Sequence, residues 1–209
     1  MDLYVGFKQK DEQCLEIIIH RINTIGELKN VKPKFGIEID IRSDGSQLIL
    51  NHEPLQSGEN FSNFLDEYSH GTLILNVKES GLEDEILRQI RMRPYIKNYF
   101  LLDVELPYLL NAVQIGERNV AVRFSELESI ETVENFVGIL DWVWIDTISN
   151  LPISKSNKSI LDKFKKCLVC PERWGRPEDI PIYVEKMKAY NFQINAVMTS
   201  LKCSHLWEL

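Results

Sequence analysis

Apolar and charged residues alternate strictly over residues 35–42 of the chain. Successive side chains of an extended strand point to opposite faces, so the three isoleucines of this stretch share one face and the charged residues between them share the other. Apolar runs at residues 17–19 and 48–50 lie on either side of it. The pattern predicts three neighbouring strands that all end in ionisable residues.

Similar apolar runs recur along the chain and alternate with segments whose apolar residues follow helical spacing. The expected strands are residues 15–20, 35–42, 72–78, 99–104, 119–124, 142–145, 166–170 and 194–198, with residues 47–51 extended as well. Strands that alternate with helices are typical of a parallel α/β fold. About eight such units favour a compact TIM-type (β/α)8 barrel over a doubly wound open sheet.

The expected helices occupy residues 24–28, 61–68, 80–90, 107–113, 125–139, 159–164 and 178–190. Ser80 with Glu83, and Ser125 with Glu128, have the spacing of a capping box, which marks the start of a helix. Residues 1–13 are compatible with a short strand or a plug beneath the core. The last residues of the chain are compatible with a short terminal helix.

The chain has 209 residues and a formal net charge of −7. This length is enough to bury one core, and we expect a single domain over residues 1–209. The acidic balance gives no support for nucleic-acid binding. Because the start lacks the pattern of a signal peptide and no apolar run reaches transmembrane length, we expect a soluble cytoplasmic protein without stable membrane insertion.

Cys167 and Cys170 have the spacing of a redox or zinc motif, but both fall in an expected strand. Residues three apart on a strand point to opposite faces, so the two sulfurs cannot converge on one ion. We interpret both cysteines as buried structural residues.

Candidate chemistry gathers at the carboxyl-terminal ends of the strands, where parallel barrels carry their active sites. Glu38 and Asp40 lie two residues apart on one face, and carboxylate oxygens suit Mg²⁺ or Ca²⁺. A carboxylate–arginine network without a metal is the alternative. His20 and His52 flank the acid pair, and imidazole exchanges protons near neutral pH. We expect these four residues to form one site.

Three cations complete the predicted site. Lys78 shares a face with Asn76, and it either neutralises a phosphate or balances the acid pair. Arg21 and Arg123 are candidate clamps for a bound anion, because guanidinium matches phosphate oxygens in a bidentate fork. A structural ion pair is the alternative role for each arginine.

The motifs within residues 15–54 stand in the order His20-Arg21, Glu38-Ile39-Asp40, Asp44-Gly45 with Leu48, and His52. Together they resemble the opening of the glycerophosphodiester phosphodiesterase family, one of the phosphatidylinositol-phospholipase-C-like phosphodiesterases. The resemblance implies a TIM-type barrel that cleaves a phosphodiester with a divalent cation.

Carried over by position, the resemblance implies that the two histidines are catalytic and that Glu38 and Asp40 bind the metal. The third metal ligand of the family is usually an acid two residues before a lysine. That position is Asn76 here, before Lys78. An amide oxygen still binds a cation, but it brings no charge.

Other positions differ from the pattern of the family. Ile22 stands where a glycine usually follows the His-Arg pair, and Glu53 stands where an aspartate usually follows the second histidine. The usual Pro-Glu-Asn-Thr segment and the insert after the second histidine are absent. These differences concern the identity of the substrate more than the type of reaction.

We therefore expect a phosphodiesterase, dependent on Mg²⁺ or Ca²⁺, that cleaves a small glycerophosphodiester or a sugar or polyol phosphodiester. His20 is expected to act as base or nucleophile and His52 as acid, with Lys78 stabilising the phosphate. One alternative is a catalytically decayed barrel that binds a phosphorylated ligand. The other is a metal-independent lyase in which Arg21 or Lys78 replaces the ion. The sequence does not indicate an oligomeric state.

Overall fold

The computed structural model describes residues 15–208, so the short strand or plug predicted within residues 1–13 lies outside the described part of the chain. The strands are β1 (Glu16–Ile19), β2 (Gly36–Ser43), β3 (Leu48–Leu50), β4 (Glu59–Asn60), β5 (Leu73–Val77), β6 (Tyr99–Leu102), β7 (Ala121–Phe124), β8 (Trp142–Ile145), β9 (Lys165–Val169) and β10 (Ala196–Thr199). The α-helices are α1 (Ile25–Leu28), α2 (Phe61–Asp66), α3 (Glu83–Arg91), α4 (Leu106–Ile115), α5 (Ile130–Glu134), α6 (Lys158–Leu161) and α7 (Asp179–Ala189), and 3₁₀ turns occupy Pro171–Trp174 and Ser204–Leu206.

Parallel pairing connects the strands into a ring. Strand β1 pairs with both β2 and β10, β5 joins β2 to β6, and β7, β8, β9 and β10 pair in sequence. Between β6 and β7, a parallel bridge joins Leu101 to Val120, and the Leu101 N–H donates to the Asn119 carbonyl at 2.9 Å. The predicted TIM-type (β/α)8 barrel is therefore confirmed. Within the described residues, the short strands β3 and β4 form an antiparallel extension of β2.

The barrel has an apolar interior and an apolar outer layer. The interior cluster includes Ile18, Ile74 and Cys167, together with Phe100 and Trp142, whose rings stack at 4.6 Å. The outer layer contains the buried isoleucines of β2 and the apolar faces of the helices. This division confirms the alternation read from the sequence, because each strand buries its two faces in different surroundings.

The register of β2 and β5 brings polar side chains onto the interior face. Glu38 pairs with Ile74, and Asp40 pairs with Asn76. Since Ile74 belongs to the interior cluster, its register partner Glu38 faces inward too, and so does Asp40 two residues later. Both carboxylates thus lie on the interior face of β2, which continues to Ser43.

The two cysteines of β9 and its end are free and buried, as predicted. Cys167 belongs to the interior cluster, whereas Cys170 belongs to the outer layer. The Cys170 sulfur accepts a hydrogen bond from the Trp207 indole N–H at 3.3 Å. The two sulfurs thus lie on opposite faces of the sheet, which confirms the prediction that they do not converge on one ion.

At the first predicted capping box, the start of the helix differs from the prediction. Helix α3 begins at Glu83 without a side-chain cap, so the box expected from Ser80 is not formed. The Glu83 carboxylate instead accepts the N–H of Gly81, whose φ of 91° needs a residue without a side chain. The tight left-handed turn at this glycine therefore replaces the predicted cap.

The second predicted capping box is also wrong. Ser125 and Glu128 face each other in an isolated antiparallel bridge, and the helix starts later, capped by Ser129. Helix α5 is also shorter than expected, because it ends at Glu134. The Glu128 carboxylate binds Arg123 at 3.0 Å, so a tertiary ion pair outcompetes the local cap.

Within residues 15–208, no helix combines the length and the apolar character needed to cross a bilayer.

Replacing Gly36 by alanine should destabilise the barrel. A Cβ atom there would lie 2.6 Å from the Thr72 carbonyl oxygen and 2.8 Å from the Ile18 side chain, at the contact between β1, β2 and β5. Overpacking of this kind costs about 1–3 kcal/mol. In a urea titration of Gly36→Ala we expect a lower midpoint with an unchanged slope.

Gly26→Ala is the matched control for this experiment. Gly26 lies in α1, and the nearest neighbour of an added Cβ would be 3.9 Å away. Alanine is favoured over glycine in a helix by about 1 kcal/mol, so the midpoint should stay or rise. Equal midpoints for the two variants would show that the close approach at Gly36 is not a constraint.

Candidate active site

A cavity of about 300 Å³ opens at the carboxyl-terminal ends of the parallel strands. It is lined by His20, Arg21, Glu38, His52, Asn76, Lys78 and Arg123, which are all the predicted site residues except Asp40. Asp40 lies next to it, since its carboxylate is 3.3 Å from the Lys78 ammonium. The residues chosen from strand ends along the sequence therefore meet at one mouth.

Glu38 is fully buried, and its two carboxylate oxygens have different partners. Oε1 accepts a hydrogen bond from the Asn76 amide at 2.8 Å, and Oε2 accepts one from the Arg21 backbone N–H at 2.7 Å. Burial, followed by repulsion from the neighbouring Asp40 carboxylate, raises the pKa of Glu38 to about 7. This acid therefore exchanges its proton near neutral pH.

Asp40 is held by donors on several sides. Asn23 donates its side-chain amide to Asp40 Oδ2 at 2.9 Å and accepts the Asp40 backbone N–H at 2.8 Å. The Arg21 guanidinium lies 3.6 Å from the same carboxylate, and Lys78 lies 3.3 Å from its other oxygen. Asn23 was not predicted from the sequence, since a loop asparagine after the His-Arg pair has no periodic signal.

His20 follows β1, and its ring lies 3.8 Å from the Glu38 carboxylate. Burial, reinforced by the nearby cations Arg173, Arg21 and Lys78, lowers the pKa of His20 to about 3. The imidazole is consequently neutral at pH 7 and able to accept a proton. This protonation state matches the role of base or nucleophile expected from the sequence.

His52 reaches the mouth on the short extension formed by β3. Strand β3 pairs with β2, and the Asn51 N–H donates to the Asp40 carbonyl at 3.1 Å, so the chain turns back towards the cavity. His52 Nδ1 is 2.7 Å from the Glu53 carboxylate, which leaves Nε2 for a substrate. Arg42 fixes the backbone by donating two hydrogen bonds to the His52 carbonyl, at 3.0 and 3.1 Å.

Arg123 is braced by acids from three segments. Its guanidinium binds Asp103 at 2.5 Å, Asp146 at 3.0 Å and Glu128 at 3.0 Å. The Trp174 indole donates to Asp146 at 2.8 Å and extends the network. With each guanidinium nitrogen engaged, the geometry favours the structural ion pair over the anion clamp for Arg123.

Arg173 is a site residue that the sequence did not reveal. It lies in the 3₁₀ turn Pro171–Trp174 after β9, and it lines the cavity with His20 and Lys78. Its side chain is exposed, and its guanidinium has no carboxylate partner within residues 15–208. The sequence did not predict a cation in the site at this position, because the segment shows only a polar loop without a periodic pattern.

The predicted divalent cation does not fit the arrangement of its proposed ligands. Protein donors engage both oxygens of Glu38 and Oδ2 of Asp40, and the Asn76 amide turns its NH₂ group towards Glu38. Asp40 Oδ1 has no hydrogen-bond partner and faces the Lys78 ammonium at 3.3 Å. Within the described residues, no group of three or more His, Cys, Asp or Glu side chains is placed to hold a metal. Binding of Mg²⁺ or Ca²⁺ stays a prediction that this geometry does not favour.

Two solved structures from one bacterium have a similar fold. A protein named as a glycerophosphoryl diester phosphodiesterase from Agrobacterium tumefaciens strain C58 is 9% identical, with a TM-score of 0.65, and the match covers 92% of this chain and 96% of that one. A glycerophosphodiester phosphodiesterase from the same strain is 10% identical, with a TM-score of 0.63, over 91% and 99% of the two chains. No protein-family model and no curated protein matches the sequence.

At these identities the similarity establishes the fold. The fold of this chain is similar to the fold of those two proteins over nearly their full lengths. The resemblance drawn from residues 15–54 is therefore confirmed at the level of structure: this chain has the fold of the glycerophosphodiester phosphodiesterases.

Proposed function

We propose that this protein is a phosphodiesterase that cleaves a small phosphodiester, such as a glycerophosphodiester or a sugar or polyol phosphodiester. One observation supports this most strongly: His20 and His52 line the same cavity as the cations Arg21, Lys78 and Arg173. Two imidazoles provide the acid and the base, and the cations match the charge of a phosphate. The similarity of the fold to solved phosphodiesterases also supports this chemistry.

The proposed reaction is a displacement at phosphorus. His20 removes the proton from the attacking hydroxyl, a new P–O bond forms, and the P–O bond to the leaving group breaks. His52 gives its proton to the departing alkoxide. Attack by water yields a phosphomonoester and an alcohol, whereas attack by a neighbouring hydroxyl of the substrate yields a cyclic phosphate and an alcohol. Proton exchange with solvent then restores both histidines.

Substrate binding itself adjusts the basicity of His20. A base with a pKa of about 3 is deprotonated but weak. Burial is the largest cause of that value, and the nearby cations Arg173, Arg21 and Lys78 add to it. A bound phosphodiester anion neutralises part of their charge, so the pKa of His20 rises in the complex. The imidazole thus becomes a better base when a substrate is present.

A second candidate function is phosphorylated-ligand binding without turnover. Asn76, which stands where a metal-binding acid is expected from the resemblance, is the observation that favours it. Turnover of any phosphodiester by the purified protein excludes this reading. Thermal stabilisation by a phosphorylated ligand, with no turnover in the same buffer, favours it.

Removing either histidine should abolish most of the turnover. Loss of a positioned acid or base typically lowers the rate by about 10²–10⁴-fold, so we expect a kcat reduction of at least about a hundredfold for His20→Gln and for His52→Gln. Release of p-nitrophenol from bis(p-nitrophenyl) phosphate, and of alcohol from glycerophosphodiesters, measures it. His205→Gln, in the exposed terminal 3₁₀ turn, is the control. Full activity in both site variants contradicts the proposed mechanism.

Arg42 should act as a positioning residue for His52. Arg42→Gln removes the hydrogen bonds to the His52 carbonyl, so the acid is held less well at the substrate. A misplacement of about 1 Å can cost up to a hundredfold, and we expect kcat to fall at least tenfold with little change in KM. Steady-state kinetics separate the two parameters.

Two further variants define the role of Arg42. Arg42→Lys keeps the charge but not the planar fork, and it should restore little of the lost kcat. Arg88→Gln removes an exposed arginine on α3 that binds Glu85, and it should leave both parameters unchanged. A rise in KM alone for Arg42→Gln would show that the residue binds substrate instead of positioning His52.

A further inference from the structure

An ammonium group already occupies the cation position beside the acid pair. Lys78 Nζ lies 3.3 Å from Asp40 and 3.6 Å from Asp103, and the side chain is only 18% exposed. A lysine held in this way places a fixed positive charge against the carboxylate that a divalent ion would need. Like charges at such distances repel, so the lysine weakens the attraction of Asp40 for a dication, and Asn76 brings no negative charge to offset that repulsion.

The other acid is held by a donor that cannot rotate away. Glu38 Oε2 accepts the Arg21 backbone N–H, and Arg21 adopts the left-handed conformation with φ of 57°. This conformation is uncommon outside glycine, and it aims the N–H at the carboxylate. The Arg21 N–H therefore fixes the orientation of the Glu38 carboxylate.

The third ligand position contributes no negative charge. Asn76 pairs in register with Asp40, and its NH₂ group donates to Glu38. Its amide oxygen is buried without a hydrogen-bond partner. Turning the amide over would offer that oxygen to an ion but would remove the hydrogen bond from Glu38. Three of the four carboxylate oxygens of the acid pair thus accept hydrogen bonds from the protein, and the fourth, Asp40 Oδ1, faces the Lys78 ammonium without a hydrogen bond.

Arg173 is the cation that we assign to the substrate, because acids already engage the other cations of the mouth. Lys78 is paired with two acids and Arg123 with three, whereas Arg173 has no carboxylate partner in the described part of the chain. Arg173 and Lys78 line the same cavity as His20. A phosphate that contacts His20 thus lies within the field of both cations.

We infer that phosphodiester cleavage in this protein needs no divalent cation, because Lys78 holds the place of the ion beside Asp40 and Arg173 binds the non-bridging phosphate oxygens. This inference rests on the proposed function, and it assigns to Arg173 a phosphate-binding role. The substrate class is accordingly a phosphodiester that binds as a free anion, without a bound metal.

Binding of inorganic phosphate tests the inference without any turnover. The dissociation constant of phosphate is measured by calorimetry or thermal shift in two buffers, one with about 1 mM EDTA and no added metal, the other with about 5 mM MgCl₂. The two values should agree within a factor of about two. Arg173→Gln should weaken phosphate binding about tenfold or more. The control is Arg118→Gln, which should leave phosphate binding unchanged, because Arg118 pairs with Asp141 at the end of the barrel away from the mouth.

Three results of this experiment overturn the inference. The first is phosphate binding that requires Mg²⁺ or Ca²⁺, or that tightens more than about tenfold with either ion. The second is no phosphate binding in either buffer, and the third is equal binding by Arg173→Gln and wild type, since Arg173 would then hold no phosphate.

Asn76→Glu tests the same inference from the opposite direction. A third carboxylate beside Glu38 and Asp40 adds a charge that no described protein donor balances, so this variant should bind Ca²⁺ at least about tenfold more tightly than wild type in a calorimetric titration. Asn76→Gln keeps the amide and should bind no more Ca²⁺ than wild type. Wild-type binding as tight as that of Asn76→Glu contradicts the inference.

Turnover assays separate failure of the inference from failure of the proposed function. Phosphodiester turnover that EDTA abolishes overturns the metal-free inference and leaves the phosphodiesterase in place. Turnover that EDTA does not change supports both. Metal-free phosphate binding that depends on Arg173, together with no turnover of any phosphodiester, overturns the proposed function and supports the anion site.

Discussion

The structure of the site depends on burying two carboxylates side by side on the interior face of one strand. Glu38 and Asp40 face the barrel interior with almost no exposure to solvent. Buried charges are costly unless every oxygen has a partner, and removing one partner of such a group typically costs about 3–5 kcal/mol. The surroundings of the acid pair follow from this need: an amide from Asn76, a backbone N–H from Arg21 and an ammonium from Lys78 all converge on it.

The same arrangement sets the chemistry of the mouth. Burial and repulsion from Asp40 raise the pKa of Glu38, whereas burial and the nearby cations Arg173, Arg21 and Lys78 lower the pKa of His20. Opposite shifts of two neighbouring groups leave a neutral imidazole beside an acid that titrates near pH 7. His52, more exposed and backed by Glu53, is in a different environment from His20. One barrel mouth thereby holds two histidines with different tasks.

Much of the fold and of the site followed from sequence because both depend on period and strand order. Alternation in β2 fixes which face Glu38 occupies, and a parallel barrel brings strand ends together whatever the loops do. The same reasoning correctly separated Cys167 from Cys170. The substrate, the cofactor and the cellular location are not decided by the fold, and they stay predictions.

What the sequence did not reveal depends on loops and on the choice among several partners. Asn23 and Arg173 lie in connecting segments, whose paths have no periodic signal. Arg123 was assigned to a strand end correctly, but its three acidic partners come from separate segments of the chain. The capping box expected at Ser125 failed for the same reason, because Glu128 has a tertiary partner. Such competition is settled only when the chain is folded.

A crystal structure of the protein with vanadate bound tests most directly whether two imidazoles share one phosphorus position. The expected result is a vanadate in the barrel mouth, with its oxygens within about 3 Å of both His20 and His52 nitrogens, the reach of a catalytic hydrogen bond. A vanadate bound elsewhere on the barrel, or one in the mouth that only one of the two histidines reaches, would contradict it.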